Sequence, residues 1–256
     1  MRANRRRARL LFAAGGVLPG LLLGIILGAV LGPIVGAVAA VVALVVTALS
    51  IERSARTVAL RALGGGPVDE DDYPRLANLV EGLCASFGVA RPELWIVVDH
   101  VPNACTIGDR HGRNVLVVTS GLEDRLGLIE MEGIVAHELA HVKVGDPVVS
   151  AAAVAVVGPL ARLTGNDRLL HAAVGRGREY RADQLAALTV RYPPGLGEAL
   201  DVLQEGPPPA STSIFTGRRW PATRWLWVDP MVGDRGTAAP GELDATAVRR
   251  SVLAEW

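Results

Sequence analysis

The feature that most limits the fold of this chain is a long stretch without charge. No Asp, Glu, Lys or Arg occurs between Leu10 and Ile51. As a single helix this stretch would be about 60 Å long, roughly twice the thickness of the hydrocarbon core of a bilayer. Gly32-Pro33 lies near its middle, where proline removes a backbone donor and glycine permits a turn. We therefore predict two membrane-spanning helices, Leu10–Leu31 and Ile34–Ile51, that form a hairpin.

The flanks of this stretch predict its orientation. Five arginines lie within the first nine residues, and three more lie between Glu52 and Arg61. Arginine at both ends of the hairpin places both ends in the cytoplasm under the positive-inside rule. A cleaved signal peptide is the alternative interpretation, but its apolar region would be much shorter than this one. We therefore expect the hairpin to lie in the lipid bilayer and to anchor the chain. The residues from about Glu52 onward should then be cytoplasmic.

Glycine recurs at every fourth position within the hairpin. Small residues at this spacing form a smooth ridge that allows the backbones of two helices to approach closely. The ridge predicts packing within the hairpin or between protomers, and the second case would give a homo-oligomer. The ridge consists of Gly16, Gly20, Gly24, Gly28, Gly32 and Gly36.

The chain divides into four parts by composition. Residues 1–60 are the hairpin with basic flanks, residues 61–72 a linker rich in Gly, Pro and acids, residues 73–204 a compact domain, and residues 205–256 an extension rich in Pro and Trp. We expect the extension to pack on or near the compact domain, although tryptophan is equally typical of membrane interfaces and binding clefts. Within the compact domain, periodicity predicts helices at 73–87, 120–128 and 130–144, and strands at 94–98, 102–108 and 115–119. The predicted class is α+β with a small antiparallel sheet.

The overall charge excludes some partners. Lys and Arg together number 26, and so do Asp and Glu, so the net charge gives no reason to expect nucleic acid as a partner. There are two cysteines, too few for an all-cysteine zinc site. Any zinc ion must therefore be held mainly by histidine and carboxylate side chains.

One short motif has the spacing of a metal site. His137-Glu138-Leu139-Ala140-His141 places two imidazoles one turn apart on one face of a helix, where both can bind one Zn²⁺ ion. Glu138 can then act as the general base on the attacking water and return the proton to the leaving amine. The alternative is a helix with two surface histidines, but Ile134 and Val135 give this helix an apolar side.

A third metal ligand is expected, because catalytic zinc usually has three protein ligands. Val144 and Pro147 stand where an extended HExxHxxGxxH motif would have its glycine and third histidine. We therefore assign the third ligand to Glu179, one turn before Asp183. Asp183 would accept the free N–H of a zinc-bound histidine. His171 is a rival third ligand, and a solvated acid pair is the structural alternative.

The apolar run from Val148 to Ala161 is too short to cross a bilayer twice. A single crossing would put Glu179 on the opposite side of the membrane from His137, so a shared metal ion excludes it. We therefore predict a buried or interfacial helix.

The motif, followed by Asp146 and then by Glu179-x-x-x-Asp183, resembles the HtpX-like integral-membrane zinc metallopeptidases, which are relatives of the CAAX prenyl proteases. The resemblance covers roughly Tyr73 to Arg191. It implies a gluzincin fold, one Zn²⁺ per chain, and cleavage of membrane or misfolded proteins at the inner or plasma membrane. Such peptidases commonly carry an Asn-Ala pair on the edge strand that binds substrate, and Asn103-Ala104 is similar.

The chain also departs from this family in two ways. Relatives often have another pair of transmembrane helices after the first motif, where this chain has only the run at 148–161. They also tend to have a His-Pro followed by an arginine near the end of the domain. The nearest match is Trp220-Pro221 with Arg224, so we assign Arg224 a possible role in substrate binding. A catalytically inactive zinc-containing membrane scaffold is the alternative function, and a membrane protein with a chance motif is a third.

Overall fold

Two long helices form the N-terminal part of the protein. The computed structural model describes residues 1–175, 177–206, 208–230, 232, 246–253 and 255. Helix α1 (Arg2–Leu31) and helix α2 (Pro33–Leu63) are joined at Gly32, whose φ of 100° is in the region that favours glycine. Both are long and apolar enough to cross a membrane, with mean hydropathies of 2.4 and 2.7. The predicted hairpin of two apolar helices is confirmed.

The glycine ridge lies between these two helices. A Cβ atom added to Gly16 would lie 2.5 Å from the carbonyl oxygen of Leu44, and one added to Gly36 would lie 2.5 Å from the Cα atom of Gly28. These separations leave no room for a side chain, so the backbones of α1 and α2 are in direct contact. The ridge therefore packs within the hairpin. Association of two chains along it stays a prediction.

The segment predicted as a linker, residues 61–72, has regular structure. Helix α2 continues to Leu63, and strand β1 (Gly66–Pro67) follows, with a short 3-10 helix at Glu70–Asp72. Gly65 has a φ of 73°, and a side chain there would collide with the backbone of Ile96. This glycine allows the chain to turn directly from α2 into the sheet. The hairpin is therefore joined closely to the domain that follows it in the sequence.

The sheet has four strands. We had predicted an antiparallel sheet, but the observed sheet is mixed. Its other strands are β2 (Glu93–Val97), β3 (Ala104–Gly108) and β4 (Asn114–Thr119), in the order β1-β2-β4-β3. β3 and β4 form an antiparallel hairpin, while β4 lies parallel to β2. The chain reverses twice between β2 and β4, so β4 runs in the same direction as β2. This order places β3 at one edge of the sheet.

Helices make up most of the remaining fold, as expected for the α+β class. The helices are α3 (Pro74–Phe87), α4 (Ser120–Arg125), α5 (Leu128–Val144), α6 (Asp146–Val156), α7 (Gly158–Thr164), α8 (Arg168–Val174), α9 (Arg178–Ala187), α10 (Pro194–Glu205), α11 (Trp220–Thr223) and α12 (Thr246–Leu253), with 3-10 helices at Gly217–Arg219 and Arg224–Leu226. Helix α3 precedes β2, and α4 begins where the Thr119 hydroxyl accepts a hydrogen bond from the backbone N–H of Leu122. One core cluster lies between α3, α5, α9, α10 and the sheet, and a second lies between the hairpin, α6 and the sheet.

The apolar run at 148–161 forms most of α6 and the start of α7. Helices α5 and α6 are bent by 83° across Gly145, and α6 is buried from Asp146 to Val154. By length and composition the bent pair could count as a third membrane span. Helix α6 instead packs against α1, α2 and β3. Helix α7 differs, because Leu160 and Leu163 are exposed.

We expect Gly36→Leu to destabilise the hairpin, because the added side chain would collide with the backbone of α1. Overpacking of this kind costs about 1–3 kcal/mol, so the Tm in detergent should fall by about 5 °C. Val38→Leu is the control, since Val38 is exposed on the same helix. Equal Tm values for the two variants would show that the ridge does not hold the hairpin together.

Candidate metal centre

Three side chains from two helices converge on one point. His137 and His141 lie one turn apart on α5, and Glu179 lies in the first turn of α9. The Nε2 atoms of the histidines are 3.1 Å apart, and the Glu179 Oε2 atom lies 3.0 Å from that of His137 and 3.5 Å from that of His141. All three side chains are buried.

The outer nitrogen of each histidine faces a carboxylate. His137 Nδ1 lies 2.7 Å from Asp183 Oδ1, and His141 Nδ1 lies 2.8 Å from Asp146 Oδ2. Because an ionised carboxylate only accepts hydrogen bonds, each Nδ1 carries the hydrogen and each Nε2 presents a lone pair. Two lone pairs and a carboxylate oxygen then face the same point, which favours a cation there.

The spacing of these atoms fits a tetrahedral metal ion. Zinc binds nitrogen and oxygen at about 2.0–2.1 Å, so tetrahedral ligand atoms should lie about 3.3 Å apart. The three observed separations of 3.0, 3.1 and 3.5 Å are close to this value. His137, His141 and Glu179 could therefore hold one metal ion, with a fourth position left for water or substrate.

The electrostatics of the cluster also favour a cation. Burial opposes the charging of His141, but the carboxylates of Glu179 and Asp146 outweigh it and raise the pKa of His141 to about 9. Burial would raise the pKa of Glu179, but His141 and Arg178 hold it well below its usual range. In the absence of a metal ion, a proton on His141 supplies the positive charge that a metal ion would replace.

Arg178 orients the carboxylate of Glu179. Its Nε donates to Glu179 Oε1 at 2.7 Å, and its Nη1 donates to the hydroxyl of Ser150 at 2.8 Å. One carboxylate oxygen is thereby fixed by the guanidinium, while the other faces the histidines. Ser150 belongs to α6, so this contact also connects α9 to the helix that packs against the hairpin.

Asp146 was given no role in the sequence analysis, although it partners His141. It starts α6 directly after Gly145, whose φ of 82° allows the sharp turn between α5 and α6. The Asn4 side chain donates to Asp146 Oδ1 at 2.5 Å and to the Val144 carbonyl at 3.1 Å. An acid just after the second histidine was the available signal, but only the 83° bend brings it back to the ring.

Glu138 is buried between α5 and the edge strand. Its Oε2 accepts a hydrogen bond from the Thr106 hydroxyl on β3 at 2.8 Å. This contact holds the carboxylate at the side of the metal cluster that faces the sheet. Glu138 is not among the three converging ligand atoms, in keeping with the general-base role predicted for it.

Ala104 is the first residue of the edge strand β3, and Asn103 directly precedes it. The Ala104 carbonyl accepts a hydrogen bond from the backbone N–H of Val228 at 2.9 Å. The Asn103 side chain donates to the Asp229 carbonyl at 2.9 Å and accepts from the Asp229 N–H at 3.1 Å. The edge predicted to bind substrate thus pairs here with an extended segment of the same chain.

Arg249 contacts a residue of the metal centre, whereas the contacts of Arg224 lie elsewhere. Arg224 donates to the Pro230 carbonyl at 2.6 Å and stacks over Trp220 and Trp225, away from the three ligand atoms. Arg249 on α12 is fully buried and donates to both oxygens of Asp183 at 2.7 Å each. Arg249 therefore contacts the metal centre through Asp183, whereas the substrate-binding role assigned to Arg224 stays a prediction.

The sequence analysis did not identify Arg249, because the residues around it form no recognisable motif. Burial would raise the pKa of Asp183, but the Arg249 guanidinium lowers it to about 2, so Asp183 remains ionised as the partner of His137. Arg249 also donates to the Val228 carbonyl at 2.6 Å. Its neighbour Arg250 instead pairs with Asp201 at the surface. Only the packing of α12 distinguishes the two.

His171, the rival third ligand, stacks on Trp225 with ring centroids 3.8 Å apart. It is not part of the metal-ligand group among the described residues. Of the predicted extension 205–256, residues 207, 231, 233–245, 254 and 256 lie outside the described residues. Trp225 and Trp227 are buried and, with Glu179, border a narrow crevice.

We expect Arg249→Met to destabilise the protein far more than Arg250→Met. Loss of one partner from a buried ion pair costs about 3–5 kcal/mol, because Asp183 would keep an uncompensated buried charge. The Tm should then fall by about 10 °C, whereas the exposed Arg250–Asp201 pair should account for no more than about 3 °C. Thermal unfolding in detergent checks this, and similar Tm values would contradict the role given to Arg249.

Comparison with known proteins gave consistent matches. The family described as peptidase family M48 matches residues 70–204. "Protease HtpX homolog" of Dictyoglomus thermophilum is 30% identical over 186 residues, covering 60% of this chain and 61% of the relative. The protein of the same name from Tropheryma whipplei (strain Twist) is 34% identical over 180 residues, covering 57% and 62%. The one from Dictyoglomus turgidum is 34% identical over 164 residues, covering 51% and 54%.

The chain thus spans less than two thirds of the length of these curated relatives. Comparison with solved structures gave no significant match. The family match includes α5 and α9, the two helices that supply the converging ligands. Since that match covers more than half of the chain and agrees with the resemblance seen in the motifs, the chain belongs to peptidase family M48, with HtpX-like proteins among its relatives.

Proposed function

We propose that this protein is a membrane-anchored, zinc-dependent endopeptidase that hydrolyses peptide bonds of membrane or misfolded proteins. The observation that carries the proposal is the convergence of His137, His141 and Glu179 beside the buried Glu138. Two imidazoles and one carboxylate are a donor set typical of catalytic zinc. Zinc, when bound by these three residues, supplies Lewis-acid chemistry that acidifies water and polarises a carbonyl.

Glu138 carries out both proton transfers of the proposed reaction. Its carboxylate accepts the proton of the attacking water and returns it to the nitrogen of the leaving amine. The Thr106 hydroxyl holds one of its oxygens at 2.8 Å and so fixes the direction in which the other can act. Asp183 and Asp146 keep the hydrogens of the two imidazoles on Nδ1, so both Nε2 atoms stay available as ligands.

The edge strand supplies the means of substrate binding. A peptide that adds to β3 would pair with the sheet through backbone hydrogen bonds, which read extended shape more than side-chain identity. Asn103 can clamp a peptide unit through its side-chain amide, as it does with Asp229. Such recognition suits unfolded segments of many sequences. The arginine-rich flanks of the hairpin support a cytoplasmic location for this site.

We expect Glu138→Gln to lower the rate of casein cleavage by a factor of about 10²–10⁴, since that is the usual contribution of a general base. Zinc content should stay near one per chain, because the three ligands are unchanged. Glu132→Gln, on the same helix but outside the cluster, serves as the control and should cleave like the wild type.

Metal analysis together with the cleavage assay separates the competing functions. Full activity of Glu138→Gln would contradict the mechanism. A wild-type protein that holds zinc but cleaves nothing would favour the inactive scaffold. A wild-type protein without zinc would favour a chance motif.

A further inference from the structure

A cavity of about 560 Å³ lies away from the metal centre, between α2, α7 and the segment that leads into α11. Its walls combine two kinds of side chain. Most of its lining is apolar and small, and four arginines lie among these residues. The apolar residues are Val58, Ala62, Val154, Gly158, Pro159, Leu163 and Ala222, and the arginines are Arg61, Arg162, Arg218 and Arg219.

The charge of this cavity is one-sided. All four arginines are exposed, and no acidic residue lines the cavity. Within the described part of the chain, none of the four takes part in an ion pair. Because the chain as a whole has a formal net charge of zero, this is a local excess of positive charge. Four guanidinium groups around one cavity repel one another unless an anion lies between them.

The cavity lies near the end of the hairpin at which the charge-free stretch stops, at Ile51. A Cβ atom on Gly15 would meet both Ile51 and Val156, so the end of α6 lies level with the end of the charge-free stretch. Helix α7 begins two residues later and exposes Leu160 and Leu163, the latter 83% accessible. Val58 follows Ile51 by two helical turns, about 10 Å along α2. This depth is close to that of the lipid headgroups, which extend several ångströms beyond the hydrocarbon core.

We propose that this cavity binds one anionic phospholipid. The phosphate would lie among the four arginines, whose planar guanidinium groups donate paired hydrogen bonds to phosphate oxygens. The first part of an acyl chain would lie against the apolar wall formed by Val58, Val154 and Leu163. A free phosphate ion would satisfy the arginines but would leave that wall unused, so the apolar lining favours a lipid.

The test compares Arg162→Gln/Arg218→Gln with the control Arg125→Gln/Arg191→Gln, which removes two exposed arginines that do not line the cavity. The proteins are purified in detergent micelles that contain equal amounts of phosphatidylglycerol and phosphatidylcholine, and retained lipid is counted by native mass spectrometry. We expect the wild type and the control to retain one phosphatidylglycerol in preference to phosphatidylcholine. The preference should fall about thirtyfold in the cavity variant, because two cationic contacts are lost, each worth about a fivefold change in affinity.

Two results would overturn the proposal. One is equal retention of phosphatidylglycerol by the cavity variant and the control. The other is displacement of the retained lipid by millimolar inorganic phosphate or glycerol phosphate, which would show a site for a free anion. Cleavage of casein is not part of the test, so its outcome does not depend on the proposed peptidase function.

A different observation concerns the segment Trp225–Asp229, here called the strap. Its backbone pairs with the edge of β3 through the Val228 N–H, and the peptide unit of Asp229 is clamped by Asn103. Trp227, Val228 and Asp229 are each 1% exposed, and Arg249 holds the Val228 carbonyl from the other side. The strap therefore occupies the edge at which a substrate peptide would pair.

The strap also borders the metal centre. Trp225 and Trp227 line the crevice at Glu179, and the nearby ligand His137 has no exposed surface. The indole N–H groups of both tryptophans are buried without an acceptor among the described residues. Each unsatisfied donor costs about 1–3 kcal/mol, so the closed arrangement is less stable than its packing alone would make it.

We infer that the strap is an internal pseudosubstrate that must leave β3 before a peptide can bind. This inference rests on the proposed peptidase function. Val228→Pro removes the N–H that pairs with Ala104, while the control Val228→Ala keeps it. We expect Val228→Pro to raise both the rate of casein cleavage and the rate of zinc extraction by 1,10-phenanthroline severalfold. Val228→Ala keeps the N–H but loses two buried methyl groups, so it should raise both rates much less than Val228→Pro does.

Unchanged rates of both processes in Val228→Pro would overturn the inference and leave the peptidase function standing. Faster zinc extraction without cleavage by any variant would support the strap as a cover of the centre and reject the peptidase function. If the Tm shows that Val228→Pro is unfolded, Asp229→Pro replaces it, because it removes the N–H that donates to Asn103. The same outcomes then decide.

Discussion

The metal centre depends on the pairing of each ligand histidine with its own carboxylate. Asp183 and Asp146 accept hydrogen bonds from Nδ1 of His137 and His141, so the Nε2 atoms of both rings face the point where a metal ion could bind. Each of these acids is held in turn, Asp183 by Arg249 and Asp146 by Asn4. The contacts reach from α1 to α12, so the outer supports of one small cluster draw together both ends of the described chain.

This arrangement ties the membrane hairpin to the chemistry. Asn4 precedes the charge-free stretch of α1, yet its side chain contacts the acid that orients His141. Helix α6 starts at that acid and ends beside Gly15 and Ile51, at the foot of the hairpin. The close packing of α1 on α2 through the glycine ridge therefore fixes the position from which both contacts are made. The hairpin supports the centre as well as anchoring the chain.

The parts of the site that follow from local spacing were predictable from the sequence. His137 and His141 share a helical face, and so do Glu179 and Asp183. The remaining parts depend on contacts between distant segments. Asp146 reaches His141 only because Gly145 bends the chain, Arg249 differs from Arg250 only by the packing of α12, and strand β1 is too short to have a pattern. The mixed sheet was missed for the same reason, since pattern identifies strands but not their neighbours.

A centre this deeply buried cannot accept a peptide without rearrangement. Opening the strap breaks three hydrogen bonds to Asn103 and Ala104, each worth about 0.5–1.5 kcal/mol, and exposes the buried side chains of Trp227 and Val228, so the open form is a minor fraction of the molecules. The apparent affinity for a substrate is then reduced by that fraction. A peptide that binds β3 replaces the same hydrogen bonds, so its advantage must come from side-chain contacts or from a high local concentration. If the proposed peptidase function holds, attachment of the protein and its substrate to one membrane would supply such a concentration and would favour membrane-bound chains over soluble peptides.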